Sequence, residues 1–363
     1  MTNKKIINIP LGAQHISLLE PVKFRFSCEN ETIVGVESDV GFVHRGIEKA
    51  CVTKFKYDAI PYVVARICGL CAITHSLCYT TAIENLLDGE VSRKAKYLRM
   101  LMVELDRIHS HMLCLSHTCE NAGFEAMFMQ IMGDREYVMD LQEKMSGNRV
   151  QFDYISIGGV NRDITTDIIK DIKTNLAIVK EKVNSYIDEF SSNWSLSLKF
   201  QGIGTLSLEE AYSYNAIGPL ARATGLATDV RSETEYLPYK EVGYEMQTAQ
   251  SGDIFGRNMV RLAEILNSIQ MCENIVDGLP DGEIMTKLKG KPNGESIVRL
   301  EAPRGELMYY IKGDGKAMLN RVRIKTPTFS CIPAFMEVFK GANYADAPAI
   351  LASFDPCLSC TAK

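Results

Sequence analysis

Most of what marks a membrane, secreted or nucleic-acid-binding protein is missing from these 363 residues. Lysine and arginine number 40 against 45 aspartates and glutamates, a net charge of −5, and no long basic run occurs. That balance gives no support to a nucleic-acid partner. Met1–Gln14, MTNKKIINIPLGAQ, has basic residues but no apolar segment behind them, so no secretory leader is expected. The longest uncharged stretch near the first cysteine motif, Ile67–Ile83, has 17 residues and includes Gly, His, Ser and Thr. It reads as a buried helix, too short and too polar for a membrane span. Repeats and low-complexity tracts are absent, and so is any C-x-x-C-x-x-C run of the kind that holds an iron–sulfur relay.

What is present is an ordinary globular composition, 46% apolar and 23% charged, enough to bury a sizeable core. Eleven cysteines without a leader point to a reducing cytoplasm and to metal binding rather than disulfides. Seven of them (Cys28, Cys51, Cys78, Cys114, Cys119, Cys272 and Cys331) are scattered and are expected to be small buried apolar residues. Residues 22–38 alternate apolar and polar around an Asn-Glu turn, which reads as an antiparallel hairpin. From Gly46 to about Leu87 the pattern is helical, and residues 93–120, 164–195 and 253–276 read as further helices. Turn-rich connectors at 277–283 and 289–296 lead to strand-like stretches at 296–315 and 321–330, then to a helix over 335–354. The expected class is α+β, a mostly helical core bundle with small antiparallel sheets.

The strongest chemical signal is a pair of C-x-x-C motifs, Cys68/Cys71 in VVARICGLCAITH and Cys357/Cys360 in FDPCLSCTAK. Each spacing puts two thiolates on one side of a turn. A zinc ribbon separates its pairs by roughly 15–20 residues, whereas here the separation is 286 (357 − 71). That favours a site deep in the fold, made by segments 66–75 and 355–360. Spacing alone leaves a catalytic centre and a structural metal equally open. Four thiolates around one divalent ion leave a charge near −2, which is costly to bury without cations nearby. Arg66 and Asp355 each lie two residues before a cysteine, Arg304 sits in the EAPRGEL turn, and His75, four residues after Cys71, can face the same side.

RICGLC with His75, EAPRGE and DPCLSC together resemble the large subunit of nickel–iron hydrogenases. LGAQHISLLEP, VGFVHRGIEKA, IGPLARATG and TPTFSCIPA resemble its energy-converting, membrane-bound branch, which is related to the quinone-site subunit of respiratory complex I. The matches run in order from about residue 11 to 363. The resemblance implies the nickel–iron hydrogenase large-subunit fold as a single domain over residues 1–363, with nickel held by Cys68, Cys71, Cys357 and Cys360. Cys68 and Cys357 would be terminal ligands. Cys71 and Cys360 would bridge to an iron carrying carbon monoxide and cyanide. It implies Arg304 and Asp355 as the pair that polarises dihydrogen, Cys357 as first proton acceptor and Glu20, in LLEP, as the relay carboxylate. Thr328 would bond a cyanide, Pro303 would line the pocket of the diatomic ligands, and His75 would orient a bridging cysteine. Glu48 would bind a second metal, for which magnesium is a candidate. Where the family has His or Arg three residues after the last cysteine, this sequence has Lys363, whose amine can supply the charge instead. Many relatives carry an extension trimmed after metal insertion; a trimmed product and a gene without the extension both stay open here. The implied partners are a small iron–sulfur subunit, a ferredoxin-type electron donor and integral membrane subunits that translocate ions, with this chain peripheral on the cytoplasmic face. The implied reaction is reversible reduction of protons to dihydrogen. The rival readings are a quinone-site electron-transfer subunit, as in complex I, and a scaffold with structural zinc.

Overall fold

The computed structural model describes residues 6–363; the first five, part of the segment read above for a leader, lie outside the described residues. Strands β1 (Ile6–Leu11), β2 (Lys23–Glu29) and β3 (Thr32–Asp39) form an antiparallel sheet in that order. The expected hairpin is there. Glu29 pairs with Thr32, and Asn30 turns at φ 56°, a conformation asparagine tolerates. The sequence pattern does not mark β1; it lies on the sheet edge, where its Pro10 is tolerated.

The helical stretch from Gly46 divides into α1 (Ile47–Thr53), α2 (Ile60–Ala65) and α3 (Ala72–Glu84). The run Ile67–Ile83 is therefore not one helix. Residues 67–71 form a turn in which the Cys68 sulfur accepts the Leu70 amide at 3.2 Å, and α3 begins only after Cys71. Helix α4 (Arg93–Asn121) matches the expected span and starts at Ser92, whose hydroxyl accepts the Ala95 amide. It is buried on nearly every face. It packs on α5 (Glu125–Ser146), a helix not anticipated from the sequence.

Next, β4 (Ile155–Ser156) and β5 (Gly159–Val160) make a small hairpin. A Cβ on Gly159 would stand 2.0 Å from the Ile284 carbonyl oxygen. Helix α6 (Thr166–Ser192) buries Ile172, Leu176, Val179, Val183, Tyr186 and Phe190, one stripe at three- and four-residue spacing. Asn193 ends it and caps α7 (Trp194–Phe200). The short helices α8 (Leu208–Ser213), α9 (Gly218–Arg222) and α10 (Val230–Glu233) lead to α11 (Ile254–Asp277).

The second three-stranded antiparallel sheet runs β6 (Asn293–Ala302), β7 (Gly305–Asp314), β8 (Arg321–Lys325). Two expectations change here. Asn293–Glu295 of the connector join β6, and the segment after Lys325 is not strand but α12 (Pro327–Glu337). Thr326 is extended, as a residue before proline is driven to be, and Pro327 suits the first helical turn. The helix expected over 335–354 is also broken. Gly341, at φ 81°, turns the chain, and α13 (Ala347–Phe354) starts anew before α14 (Leu358–Thr361). The class is α+β as expected. Helix α4 lies at the centre against α5, α11 and α13, and α3 covers β6 and β7. Among the described residues no helix is long and apolar enough to cross a membrane.

Beneath the β6–β7 turn lies a buried ionic network. Arg222 meets Glu264 and Glu301, each at 2.8 Å, and Asp229 at 3.1 Å; Arg231 meets Asp229 at 2.7 Å and Arg107 meets Glu104 at 3.1 Å. Arg107 also donates to the carbonyls of Glu301 and Ala302, the last residues of β6. Three arginines thus face four carboxylates, and burial, with Asp229 nearby, pushes Glu301 up to about 7. An acid raised in the folded state binds its proton more tightly there, so its contribution to stability falls as pH rises from 4.5, its ordinary value, to about 7. Against Glu301→Gln, which cannot ionise, the native chain should lose on the order of 3 kcal/mol more across that window in urea unfolding. Parallel pH profiles would refute the assignment.

Candidate metal centre

Four sulfurs from two distant segments converge. Cys68 lies in the turn before α3, Cys71 at the N-cap of α3, Cys357 at the N-cap of α14 and Cys360 within α14. The Cys68 and Cys357 sulfurs are 3.3 Å apart, and those of Cys71 and Cys360 are 3.7 Å apart. Cys68, Cys71 and Cys360 lie mutually within 4.8 Å, the only such group of three His, Cys, Asp or Glu residues among the described residues. All four cysteines are buried, as are the other seven, none of which forms a disulfide. Burial pushes Cys114 and Cys119 up to about 12, so neither is poised to react.

Side chains outside the motifs hold the two segments together. Arg45 donates to the carbonyls of Arg66 at 2.8 Å and Ile67 at 2.7 Å on one segment, and to Ser359 at 3.3 Å on the other. Thr326 donates to the Cys360 carbonyl at 3.1 Å, and the Thr328 hydroxyl oxygen accepts the Cys357 amide at 3.1 Å. That leaves the Thr328 O–H free to donate. Glu20 accepts the amides of Leu358 and Ser359 and the Ser359 hydroxyl, placing negative charge at the start of α14.

Within the cluster, hydrogen bonds from Cys357, Cys360 and Cys71 hold Cys68 well below the ordinary thiol range, and Arg304 favours its thiolate. Burial pushes Cys360 well up. The ring of His75 lies 3.4 Å by Nε2 from the Cys360 sulfur and 2.7 Å by Nδ1 from the Tyr309 hydroxyl. Burial lowers His75 to about 4, so the ring is neutral. Burial also raises Tyr309, which keeps its proton, so the neutral ring is held between a phenol at Nδ1 and the Cys360 sulfur at Nε2.

Arg304 lies in the β6–β7 turn beside buried Pro303. It donates by Nη2 to Asp355 Oδ1 at 2.6 Å, by Nε to the Asp355 carbonyl at 2.8 Å and by Nη1 to Ser110 at 3.3 Å. Asp355 caps α13 at φ 59°, and its other carboxylate oxygen is buried with no partner among the described residues. Gly218, at φ 67°, backs the turn: a Cβ there would stand 2.3 Å from the Arg304 carbonyl oxygen. That is the physical need behind IGPLARATG.

Two other sequence candidates lie elsewhere. Arg66 is half-exposed and pairs with Asp153 instead of facing the sulfurs. Glu48 accepts the Ile324 amide at 2.9 Å and meets Arg323 at 3.2 Å, while Lys363 donates to the Cys360 carbonyl at 3.3 Å. Both Glu48 oxygens are engaged by donors and three cations, Arg323, Lys325 and Lys363, line the same cavity, so these residues do not fit a divalent ion. The thiols do fit a soft metal: four buried sulfurs, a buried guanidinium beside them, and a neutral imidazole in contact with one. Arg45, Tyr309 and Ser110 carried no legible sequence signal, since each acts through a partner far away in the chain.

Family comparison agrees with this geometry. The model described as "Respiratory-chain NADH dehydrogenase, 49 Kd subunit" matches residues 121–291 and 286–363, and the one described as "Nickel-dependent hydrogenase" matches residues 45–120. A carbon monoxide-induced hydrogenase of Rhodospirillum rubrum is 34% identical over 98% of this chain and 99% of its own. The chain belongs to the nickel-dependent hydrogenase and respiratory 49 kDa subunit family. One of the subunits of the F(420)H(2) dehydrogenase of Methanosarcina mazei is also 34% identical, over 99% of this chain and 97% of its own. A chain in the structure of an archaeal respiratory membrane complex, the membrane-bound sulfane sulfur reductase, superposes with a TM-score of 0.93 at 26% identity, covering 100% of both. Members of this family are subunits of oxidoreductases, hydrogenases among them.

Tyr309→Phe removes the hydroxyl that holds the His75 ring at Nδ1. The four-sulfur cluster should then bind a soft metal ion about 10- to 100-fold more weakly in competition with a chelator. Unchanged affinity would show that the ring needs no such orientation.

Proposed function

We propose that this chain is the catalytic subunit of an energy-converting nickel–iron hydrogenase, folded as one domain over residues 1–363. The observation that carries the reading is the convergence of four buried thiols from Cys68–Cys71 and Cys357–Cys360 beside a buried arginine. Nickel and iron, the iron with carbon monoxide and cyanide ligands, would be held by those four sulfurs and would supply the redox and Lewis-acid chemistry that polarises dihydrogen. The remaining work belongs to side chains. Arg304, fixed by Asp355, presents a permanent positive charge in a dry site, where it acts strongly on developing charge. Thr328 has a free O–H to offer a cyanide nitrogen, and Pro303 keeps the turn apolar. A proton released on the cluster is accepted first at Cys357 and passes to Glu20, whose carboxylate already binds the residues between the two cysteines.

No iron–sulfur motif is available in this chain to carry the electrons away. They pass through a partner iron–sulfur subunit, with a ferredoxin-type donor and membrane subunits that translocate ions, and the chain sits on the cytoplasmic face of that assembly. Membership of a membrane assembly is supported by the names of relatives, a membrane-bound hydrogenase subunit and a respiratory membrane complex. A quinone-site role, as in complex I, is the second reading, favoured by the match to the 49 kDa model. A site built for quinone has no use for four converged thiols.

Elemental analysis of the assembled complex separates the readings: nickel with iron for hydrogenase, no metal for the quinone-site role, zinc for a scaffold. Infrared bands of carbon monoxide and cyanide are expected only for the first. Glu20→Gln keeps an acceptor for the Ser359 amide but cannot take up a proton. It should retain both metals and lose roughly 100-fold or more of dihydrogen turnover. Undiminished turnover would remove Glu20 from the relay. The chain alone should evolve no dihydrogen from reduced ferredoxin.

A further inference from the structure

His117, near the C-terminal end of α4, forms part of the wall of a small cavity between that helix, α13 and the loop at 17–20. The cavity has a volume of about 20 Å³, room for one water molecule, and Leu351 and Ala352 make its apolar side. Ser17, Glu20, His117 and Asp355 line the rest. A cavity of this size is wet only where several polar partners converge, and two of these have capacity to spare. Asp355 Oδ2 is buried with no partner among the described residues. Glu20 Oε1 accepts the Ser359 hydroxyl and keeps a second lone pair.

From the cavity the imidazole leads outward. His117 is buried, whereas the Glu120 side chain, whose Oε2 accepts from His117 Nδ1 at 3.0 Å, is 47% exposed. Asn121 Nδ2 donates to the His117 carbonyl at 2.9 Å and stands 3.2 Å from each ring nitrogen, so it favours neither. With Nδ1 committed to Glu120, Nε2 is the nitrogen left to accept a proton from the cavity. A histidine–glutamate pair lying wholly on a helix surface would contribute little. This one has its imidazole inside, on the same cavity as the relay carboxylate, and its carboxylate in solvent. Imidazole is the side chain that both takes up and releases protons near neutral pH.

We propose that His117 is the next station of the proton route beyond Glu20, joined to it by one water molecule in this cavity and to bulk solvent by Glu120. The idea rests on the hydrogenase reading. When dihydrogen is split, the O–H bond of the Glu20 carboxyl breaks and its proton goes to the water oxygen. The water passes one of its own protons to His117 Nε2. The imidazolium so formed releases its Nδ1 proton to Glu120 Oε2, and Glu120 gives it to solvent. Rotation of the ring restores the starting tautomer. One proton crosses, no electron moves, and dihydrogen formation runs the same steps backwards.

Exchange of deuterium gas with solvent protons, measured on the assembled complex, tests it. His117→Ala should keep nickel, iron and the carbon monoxide and cyanide bands, yet slow the exchange about 10-fold or more. Free imidazole added to that variant should restore part of the rate, which it could not do for a histidine that only fills space. Glu120→Gln, at a half-exposed position, should slow the exchange as well. Unchanged exchange in either variant would show that Glu20 discharges straight to bulk water and would overturn the proposal. So would a loss in His117→Ala that imidazole leaves unmended. If His117→Ala fails to assemble, Glu120→Gln decides alone. A native complex without carbon monoxide and cyanide bands would instead overturn the hydrogenase reading beneath it.

Discussion

Everything at this site depends on holding two short loops from opposite regions of the sequence in register to within a few tenths of an ångström. Thiols alone cannot do that. Without a metal their mutual contacts are weak hydrogen bonds, and like-charged thiolates repel. The register comes from the backbone. Arg45 straps carbonyls of both loops, Thr326 and Thr328 tie the second loop to the start of α12, and Glu20 gathers the first amides of α14. Hydrogen bonds to charged groups are stronger than neutral ones, and two of these four clamps are charged. The scaffold is thus set before any ion arrives, which is what preorganisation of a ligand set requires.

Glu20 serves that clamp and the proposed proton path at once, and the two demands conflict. A clamp must keep its contacts to two amides and a hydroxyl in place. A relay must pick up a proton and give it back. A partly exposed loop position eases the conflict, because water can reach the carboxyl and carry the proton off.

The cysteine pairs were legible because their chemistry is local: two thiols three residues apart mean much the same in any fold. The 22–38 hairpin and helices α4, α6 and α11 were legible because side-chain period and end signals agree there. Legibility ended where a residue's meaning lies in a distant partner. Arg45 reads as one more surface cation until its carbonyl acceptors are seen. Tyr309 is one of the inward-facing residues of β7, and only the packing of α3 on that strand puts its hydroxyl on His75. Asp106, in VELDRIH, gives no sign in the sequence that its carboxyl is buried without a hydrogen-bond partner among the described residues. The TPT segment misled for a different reason: the extended residue before a proline resembles strand, although Pro327 opens a helix.

The ionic network under the β6–β7 turn ties these observations together. Replacing buried ion pairs with apolar residues is often neutral or stabilising, so the network is poorly explained as a source of stability. Its effect on position is clearer. Arg107 grips the last two carbonyls of β6, Gly218 leaves no space behind the Arg304 carbonyl, and Asp355 fixes the guanidinium from the front. Arg304 therefore has one place to be. A permanent charge acts on a reaction only where it is already oriented when charge develops. The sulfurs are what a soft metal would need, and the rigid arginine is a charge already oriented beside them.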